Sequence, residues 1–179
     1  PFYDNGIKFF ATTGFKLPDQ VELEIEQLME SGDFPLVADD CLGRVRRSAN
    51  AADLYRKWLV SKVAPQLDGK LIVVDAANGA ASDIAAPVFS LLGAKVISIH
   101  DEPNGVNINE NCGSTHLGSL CQRVVDSGAD LGLAFDGDAD RLLAVDERGN
   151  EVDGDQIMAI LAAYLRKQGR LADDKLVIT

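Results

Sequence analysis

Asp136, Asp138 and Asp140 alternate through the stretch Phe135-Asp136-Gly137-Asp138-Ala139-Asp140-Arg141, and a guanidinium follows at once. Three carboxylates this close repel one another, so the stretch calls for a compensating positive charge. Carboxylate oxygens are hard ligands and select a hard cation, with Mg2+ first and Mn2+ or Ca2+ next. Arg141 adds a group suited to binding phosphate beside the metal. A solvated acidic turn is the plain alternative for so short a motif. An aspartate after an apolar run also suits a phosphatase-like enzyme with Asp136 as covalent nucleophile. Asp136, Asp138, Asp140 and Glu147 do fall at positions 1, 3, 5 and 12 of a calcium-binding EF-hand loop. Arg141, however, stands where that loop needs glycine, and strand-like runs replace the flanking helices.

Those flanking runs, 131–135 and 142–145, predict two short strands that pin the ends of the acidic loop. Upstream, 71–74 is wholly apolar, the composition of a strand buried in a parallel sheet, and 95–99 predicts the next strand. Helices are expected from about 82 to 92, closed by Gly93, and from about 117 to 127, closed by Gly128. Pro87 should move the start of the first of these later. The order is β-α-β-α-β-loop-β. Right-handed crossovers make the first three strands parallel, and the short link 136–141 makes the fourth antiparallel. The expected fold is α/β: a three-layer αβα domain with a mixed four-stranded sheet, three parallel strands plus one antiparallel. The acidic loop and Asn78-Gly79 then lie at carboxyl ends of strands, where open α/β sheets bind ligands. The polar loop 100–115 is long enough to be functional or disordered.

On the amino-terminal side the sequence predicts a strand at 6–10 and a helix from about 19, with Val21, Ile25, Leu28 and Met29 on one face. The irregular stretch 33–49 carries Arg44, Arg46 and Arg47 and reads as a solvated linker. A helix over 51–63 turns Leu54, Tyr55, Trp58 and Leu59 towards a core. At the other end a helix from about 155, with Ile157, Ile160, Leu161, Tyr164 and Leu165 on its apolar face, and a strand at 175–179 read as the opening of another domain.

The chain has 179 residues and a formal net charge of -11. That charge disfavours non-specific binding to nucleic acid or to an anionic membrane, and no apolar run approaches the length of a membrane span. The first residue is Pro1 and the last run stops inside a strand-like segment, so the chain reads as a fragment. Cys41, Cys112 and Cys121 form no CxxC pair, which suits a reducing cytoplasm. Cys112, His116 and Cys121 lack a fourth ligand and match no common zinc spacing.

Residues 7–22 resemble 142–157 at a fixed offset of 135. Ile7–Phe10 aligns with Leu142–Val145, Gly14 with Gly149 and Leu17 with Val152, and in both a strand, a glycine turn and a short strand lead into an apolar-faced helix. If this is a duplication, residues 1–6 are the counterpart of the acidic loop.

The stretches PFYDNGIKFF (1–10), VVDAANGA (73–80), EPNGVNINENCGSTH (102–116), FDGDADR (135–141) and VDGDQIM (152–158) together resemble the α-D-phosphohexomutases. They span nearly the whole chain in the family's order, and NINENCGSTH points to the glucosamine branch over the phosphomannomutases and phosphoglucomutases, which stay as the alternative. The resemblance implies a four-domain enzyme that interconverts glucosamine 6-phosphate and glucosamine 1-phosphate, with a phosphosugar as its partner. Residues 1–40 would be the end of domain I, 41–152 domain II with the metal-binding loop, and 153–179 the start of domain III. The resemblance also implies Mg2+ held by Asp136, Asp138 and Asp140 against a phosphoserine whose Ser-His-Asn-Pro motif ends at Pro1, and a sugar bisphosphate intermediate. Lys8 matches the family's lysine near that serine, with a proton-transfer or phosphate-binding role, and Arg141 matches the arginine beside the metal loop. On this basis the fragment alone is expected to be inactive. Two departures stand out. Ala139 replaces a common glycine, a mild change if the backbone there is not left-handed, and Leu117-Gly118 replaces the usual Pro-Glu.

Overall fold

The apolar runs assemble into one sheet. In the computed structural model, which describes residues 1–4, 6, 8–33, 37–38, 41–63 and 67–177, the strands are β1 (Leu71–Asp75), β2 (Lys95–Ile99), β3 (Leu131–Phe135), β4 (Leu142–Val145) and β5 (Glu151–Val152). Their order is β2-β1-β3-β4-β5. β1 runs parallel to β2 and β3, and β4 runs antiparallel to β3. The three parallel strands and the antiparallel fourth are as expected. The sheet has a fifth strand as well, because β5 pairs antiparallel with β4 through Ala144–Val152 and Val145–Glu151. The repeat leads one to expect a short strand after the Gly149 turn, but two residues carry no alternation to show that it joins the sheet.

Successive side chains of a strand point to opposite faces, and β1 buries both. Ile72 and Val74 pack with Ala85, Leu133 and Ala144, joined by Phe89, Val152 and Ile157. Val73 packs on the other face with Leu120, Val124, Ala134 and Val145. Ala85 and Phe89 belong to helix α3 (Ala85–Leu91), and Leu120 and Val124 to α4 (Gly118–Ser127). Helices therefore cover both faces, α3 together with Ile157 of a later helix on one and α4 on the other, which gives the three-layer order. Val73, Val74, Leu120 and Val124 are fully buried, and each such side chain contributes about 1.5–3 kcal/mol over its exposed state. α3 starts at Ala85 because Pro87 is tolerated only in a first turn. α4 ends at a left-handed Gly128, as expected.

Asp130 ties the entries of two parallel strands together. Its Oδ2 accepts the Leu71 backbone N–H at 2.8 Å and its Oδ1 accepts Lys70 Nζ at 2.8 Å. The Lys70 ammonium first, then the Leu71 N–H, hold the Asp130 carboxyl below the usual carboxylate range. A carboxyl depressed by folding stabilises above its unfolded pKa and loses that contribution as pH falls through its native value. Asp130→Asn should therefore lower stability to denaturant at pH 7, with the gap to wild type closing as the pH falls towards 3 and below. An equal gap at every pH would show that the charge contributes nothing.

The chain divides into two compact units, Phe2–Ser48 and Ala49–Thr179. The smaller holds α1 (Asp19–Ser31), which follows Pro18 and ends at a left-handed Gly32. The strand expected at 6–10 is not there: Lys8 and Phe9 are outside any strand, Phe10 makes a single bridge to Lys16, and Ile7 lies outside the described residues. Residues 42–48, with Arg44, Arg46 and Arg47, are exposed and irregular. In the larger unit α2 (Ala51–Lys62) does not bury its apolar face. Leu54 is 63% and Trp58 53% exposed. Trp58 instead stacks on Tyr55, with Lys62 Nζ 5.5 Å from the indole ring. α2 is tethered through Arg56, which donates from Nε and Nη2 to the Asp83 carbonyl. α5 (Gly154–Lys167) starts at a capping box, in which Gln156 N donates to Asp153 Oδ1 and Asp153 N donates to Gln156 Oε1. Lys175–Val177 form no strand, and 178–179 lie outside the described residues. Among the described residues no helix is long and apolar enough to cross a membrane.

The weak sequence repeat is a strong structural one. Ala11 N donates to Phe15 O at 2.8 Å and Gly14 N to Ala11 O at 2.9 Å. At an offset of 135, Asp146 N donates to Asn150 O at 2.9 Å and Gly149 N to Asp146 O at 3.0 Å. Gly14 and Gly149 have φ of 83° and 84°. The Phe10–Lys16 bridge maps onto the Val145–Glu151 pair, and α1 and α5 start at Asp19 and Gly154, also 135 apart. Turn geometry kept what side-chain identity lost.

Candidate functional site

The acidic loop spans the gap between β3 and β4, closed at its base by Asp136 N donating to Arg141 O. Asp136 is 1% exposed. Its Oδ1 accepts the Asp140 and Arg141 backbone N–H groups at 3.1 and 3.0 Å, and its Oδ2 accepts Arg141 Nε at 2.9 Å. This carboxylate is therefore the post on which the loop is folded. Asp138 and Asp140 are exposed, yet all three residues place a carboxylate oxygen within 4.8 Å of the others. Three convergent oxygens fit a hard divalent cation.

The electrostatics follow from that arrangement. Burial pushes the Asp136 carboxyl up, but the Arg141 backbone N–H and side chain outweigh it, and the net direction is down. Asp140 is held above the usual carboxylate range by its hydrogen bond with Asp136 and by the Asp138 charge. Asp136, Asp138, Asp140 and Arg141 thus share one loop, as their spacing suggested. Lys8 lies in the smaller unit, where it lines a cavity with Phe9, Phe10, Lys16 and Glu22.

Two features bear on the alternatives. Asp136 has both oxygens engaged and is buried, which is poor placement for a covalent nucleophile. The loop is flanked by strands, unlike a helix–loop–helix calcium site. Ala139 is a correction. Its φ is 61°, in the left-handed region, so the exchange from glycine is not conformationally mild. Ala139→Gly should raise stability by about 0.5–1 kcal/mol in denaturant unfolding, and an unchanged midpoint would show that the strain is relaxed elsewhere.

Sequence reasoning missed the wall behind the loop. Gly137 O accepts the Ala80 N–H at 2.8 Å, and Asn109 N donates to Ala77 O at 2.9 Å. A Cβ at Gly137 would meet Asn109 Nδ2 and Ile108 Cδ1, both at 2.7 Å. Asn78 bridges the neighbouring segment: its Oδ1 accepts Glu102 N at 3.2 Å and its Nδ2 donates to Asn107 O at 3.4 Å. The turn after β1 and the 100–115 loop therefore brace the acidic loop. The available signal was the density of Asn and Gly in 104–113, which tolerate left-handed backbone; Asn109 and Asn111 have φ of 59° and 52°.

Residues 53–149 match the phosphoglucomutase/phosphomannomutase α/β/α domain II. The chain belongs to the phosphoglucomutase/phosphomannomutase family. The acidic loop falls inside the matched domain, whereas Lys8 precedes it. The phosphoglucosamine mutase of Carboxydothermus hydrogenoformans is 52% identical over 183 residues, covering 100% of this chain and 41% of that protein. That of Pelotomaculum thermopropionicum is 53% identical over 181 residues, with the same coverage. The chain thus spans about two fifths of the length of these relatives. In fold, this phosphoglucomutase/phosphomannomutase chain is similar to a phosphoglucomutase/phosphomannomutase family protein of Burkholderia thailandensis, with a TM-score of 0.66 and 24% identity over 84% of this chain and 32% of that one. A putative phosphomannomutase of Thermus thermophilus gives 0.64 and 22%, over 88% and 36%.

Proposed function

We propose that this chain is part of a phosphoglucosamine mutase, which interconverts glucosamine 6-phosphate and glucosamine 1-phosphate through a phosphoserine and a sugar bisphosphate. The observation that carries the proposal is identity above 50% along the whole chain to proteins of that name. Residues 1–40, 41–152 and 153–179 are assigned to the end of domain I, to domain II and to the start of domain III. The match of domain II to 53–149 supports the middle assignment. Three unpaired cysteines support a cytoplasmic setting.

Asp136, Asp138 and Asp140 would hold Mg2+, which offsets phosphate charge during transfer. Asp136 folds the loop and keeps the other two carboxylates converged. Arg141, 72% exposed with its Nε on Asp136, presents a fixed cation where the phosphate arrives. Lys8 would hold a phosphate oxygen or carry a proton.

The test is a chimera: the matching segment of the Carboxydothermus protein is replaced by this chain, and turnover of glucosamine 6-phosphate is compared with that of mannose and glucose 6-phosphates. Preference for the glucosamine ester is expected. A folded chimera that prefers either of the others would overturn the proposal. In the same chimera Lys8→Ala should lower kcat by about 100-fold or more while leaving Mg2+ affinity intact. Unchanged kcat would make Lys8 an ordinary surface lysine.

A further inference from the structure

A second cluster of ligating side chains lies apart from the acidic loop. Asp75, at the end of β1, is fully buried. Its Oδ1 accepts the Ala77 N–H at 2.9 Å and its Oδ2 accepts the Gly113 N–H at 3.0 Å. His100 Nδ1 lies 3.0 Å from the same Oδ2. The two make no hydrogen bond, and Nδ1 is buried with no hydrogen-bond partner. Cys112, also fully buried, completes the group, and the three residues place ligand atoms within 4.8 Å of one another. Asp75 and Cys112 stand 37 positions apart in the sequence, which is why spacing did not suggest the trio.

We propose that Asp75 Oδ2, His100 Nδ1 and Cys112 Sγ form a second, buried divalent-metal site that takes Zn2+, with a solvent water entering by the polar cleft beside His100 as the fourth ligand. The donor set decides the ion. One carboxylate oxygen, one imidazole nitrogen and one thiolate suit Zn2+ and not Mg2+, whereas the acidic loop offers oxygen alone. Tetrahedral zinc with these ligands places them about 3.3–3.6 Å apart, so the cluster needs only small side-chain adjustments. Binding releases the Cys112 proton to solvent and forms the Zn–S bond. The carboxylate and thiolate then cancel the charge of the ion, which a buried site requires. His100 also lines a polar cleft with Asn78, Glu102 and Asn107, which gives the ion a way in. Asn78 Nδ2 lies 3.8 Å from Cys112 Sγ and serves as an outer partner to the sulfur. Burial, and then the Asp75 charge, push the Cys112 thiol up, which argues against a redox-reactive role for the same residue. Once bound, the ion staples the 100–115 loop to the end of β1.

The experiment uses Co2+ as a visible substitute for Zn2+ on the reduced 179-residue chain. One equivalent should give thiolate-to-cobalt charge-transfer absorption and the d–d bands of a four-coordinate ion. Stoichiometric Zn2+ should erase both, and excess Mg2+ should leave them. Cys112→Ser should abolish the charge-transfer band, and His100→Gln should weaken Co2+ binding by about 100-fold. Circular dichroism serves as the folding control, and the partly exposed His100 decides the matter if Cys112→Ser does not fold. Cys41→Ser, Cys121→Ser and Asp138→Asn should keep the band. A folded wild-type chain without the band, a band that survives Cys112→Ser, full Co2+ affinity in His100→Gln, or loss of the band in any of the three controls would overturn the site.

Discussion

Asp138→Asn and Asp140→Asn should each weaken Mg2+ binding to this chain by about 10–100-fold, and each should cut phosphoryl transfer in the chimera by about 100-fold or more. Both side chains are exposed, so each exchange removes one charge at nearly constant shape and leaves the fold alone. Asp136→Asn should behave differently. Its Oδ1 can still accept two backbone N–H groups, but an amide facing Arg141 Nε sets donor against donor. That variant should lose loop order as well as metal, with a lowered unfolding midpoint.

The pH dependence separates the same residues. Asp136 is depressed by folding, so its stabilisation is complete above the unfolded carboxylate pKa and is lost as pH falls through its native value. Asp140 is raised, so its ionised form strains the folded loop, and protonation on acidification relieves that strain. Protons at Asp140 should therefore compete with Mg2+ at a pH where Asp136 is still ionised. Calorimetric titration should show Mg2+ affinity falling before the fold does on acidification. Equal Mg2+ affinity in wild type and both exposed-site variants would place the metal elsewhere.

How much of this was legible follows from where the information lies. The acidic loop was readable because its carboxylates are neighbours in sequence and its strands are apolar runs of ordinary length. The parallel core was readable from Leu71–Asp75, a strand buried on both faces. A short strand after the Gly149 turn was readable too, but not that β5 extends the sheet, because its pairing is set by the turn at 146–150, where Asp146 Oδ1 accepts the Arg148 and Asn150 N–H groups. The expected burial of Leu54, Tyr55 and Trp58 failed because helical periodicity identifies an apolar face but not what covers it. The wall of the site was least legible. Ala77, Asn109 and Gly137 meet only after three separate segments fold against one another, and no spacing encodes that meeting.

Gly79→Ala tests that wall directly, without touching a carboxylate of the loop. A Cβ at Gly79 would sit on the Gly137 backbone carbonyl, at a separation no real side chain adopts. The neighbour is backbone, so it cannot swing aside as a flexible side chain would. Relief requires the 76–80 turn or the acidic loop to move, and the Ala80 N–H to Gly137 O bond is the contact that yields. Overpacking of this kind costs about 1–3 kcal/mol. Moving Gly137 also displaces Asp136 and Asp138 on either side of it, so Mg2+ affinity should fall by about tenfold although all three carboxylates remain. Gly118→Ala is the matched control. Nothing lies within 4 Å of its added Cβ, and it sits in the first turn of α4. That variant should be neutral or stabilised by up to about 1 kcal/mol. The measurements are denaturant unfolding and Mg2+ calorimetry on both variants. If Gly79→Ala keeps the wild-type midpoint and the wild-type Mg2+ affinity, the turn after β1 does not brace the acidic loop, and the loop holds its shape through Asp136 and the ends of β3 and β4 alone.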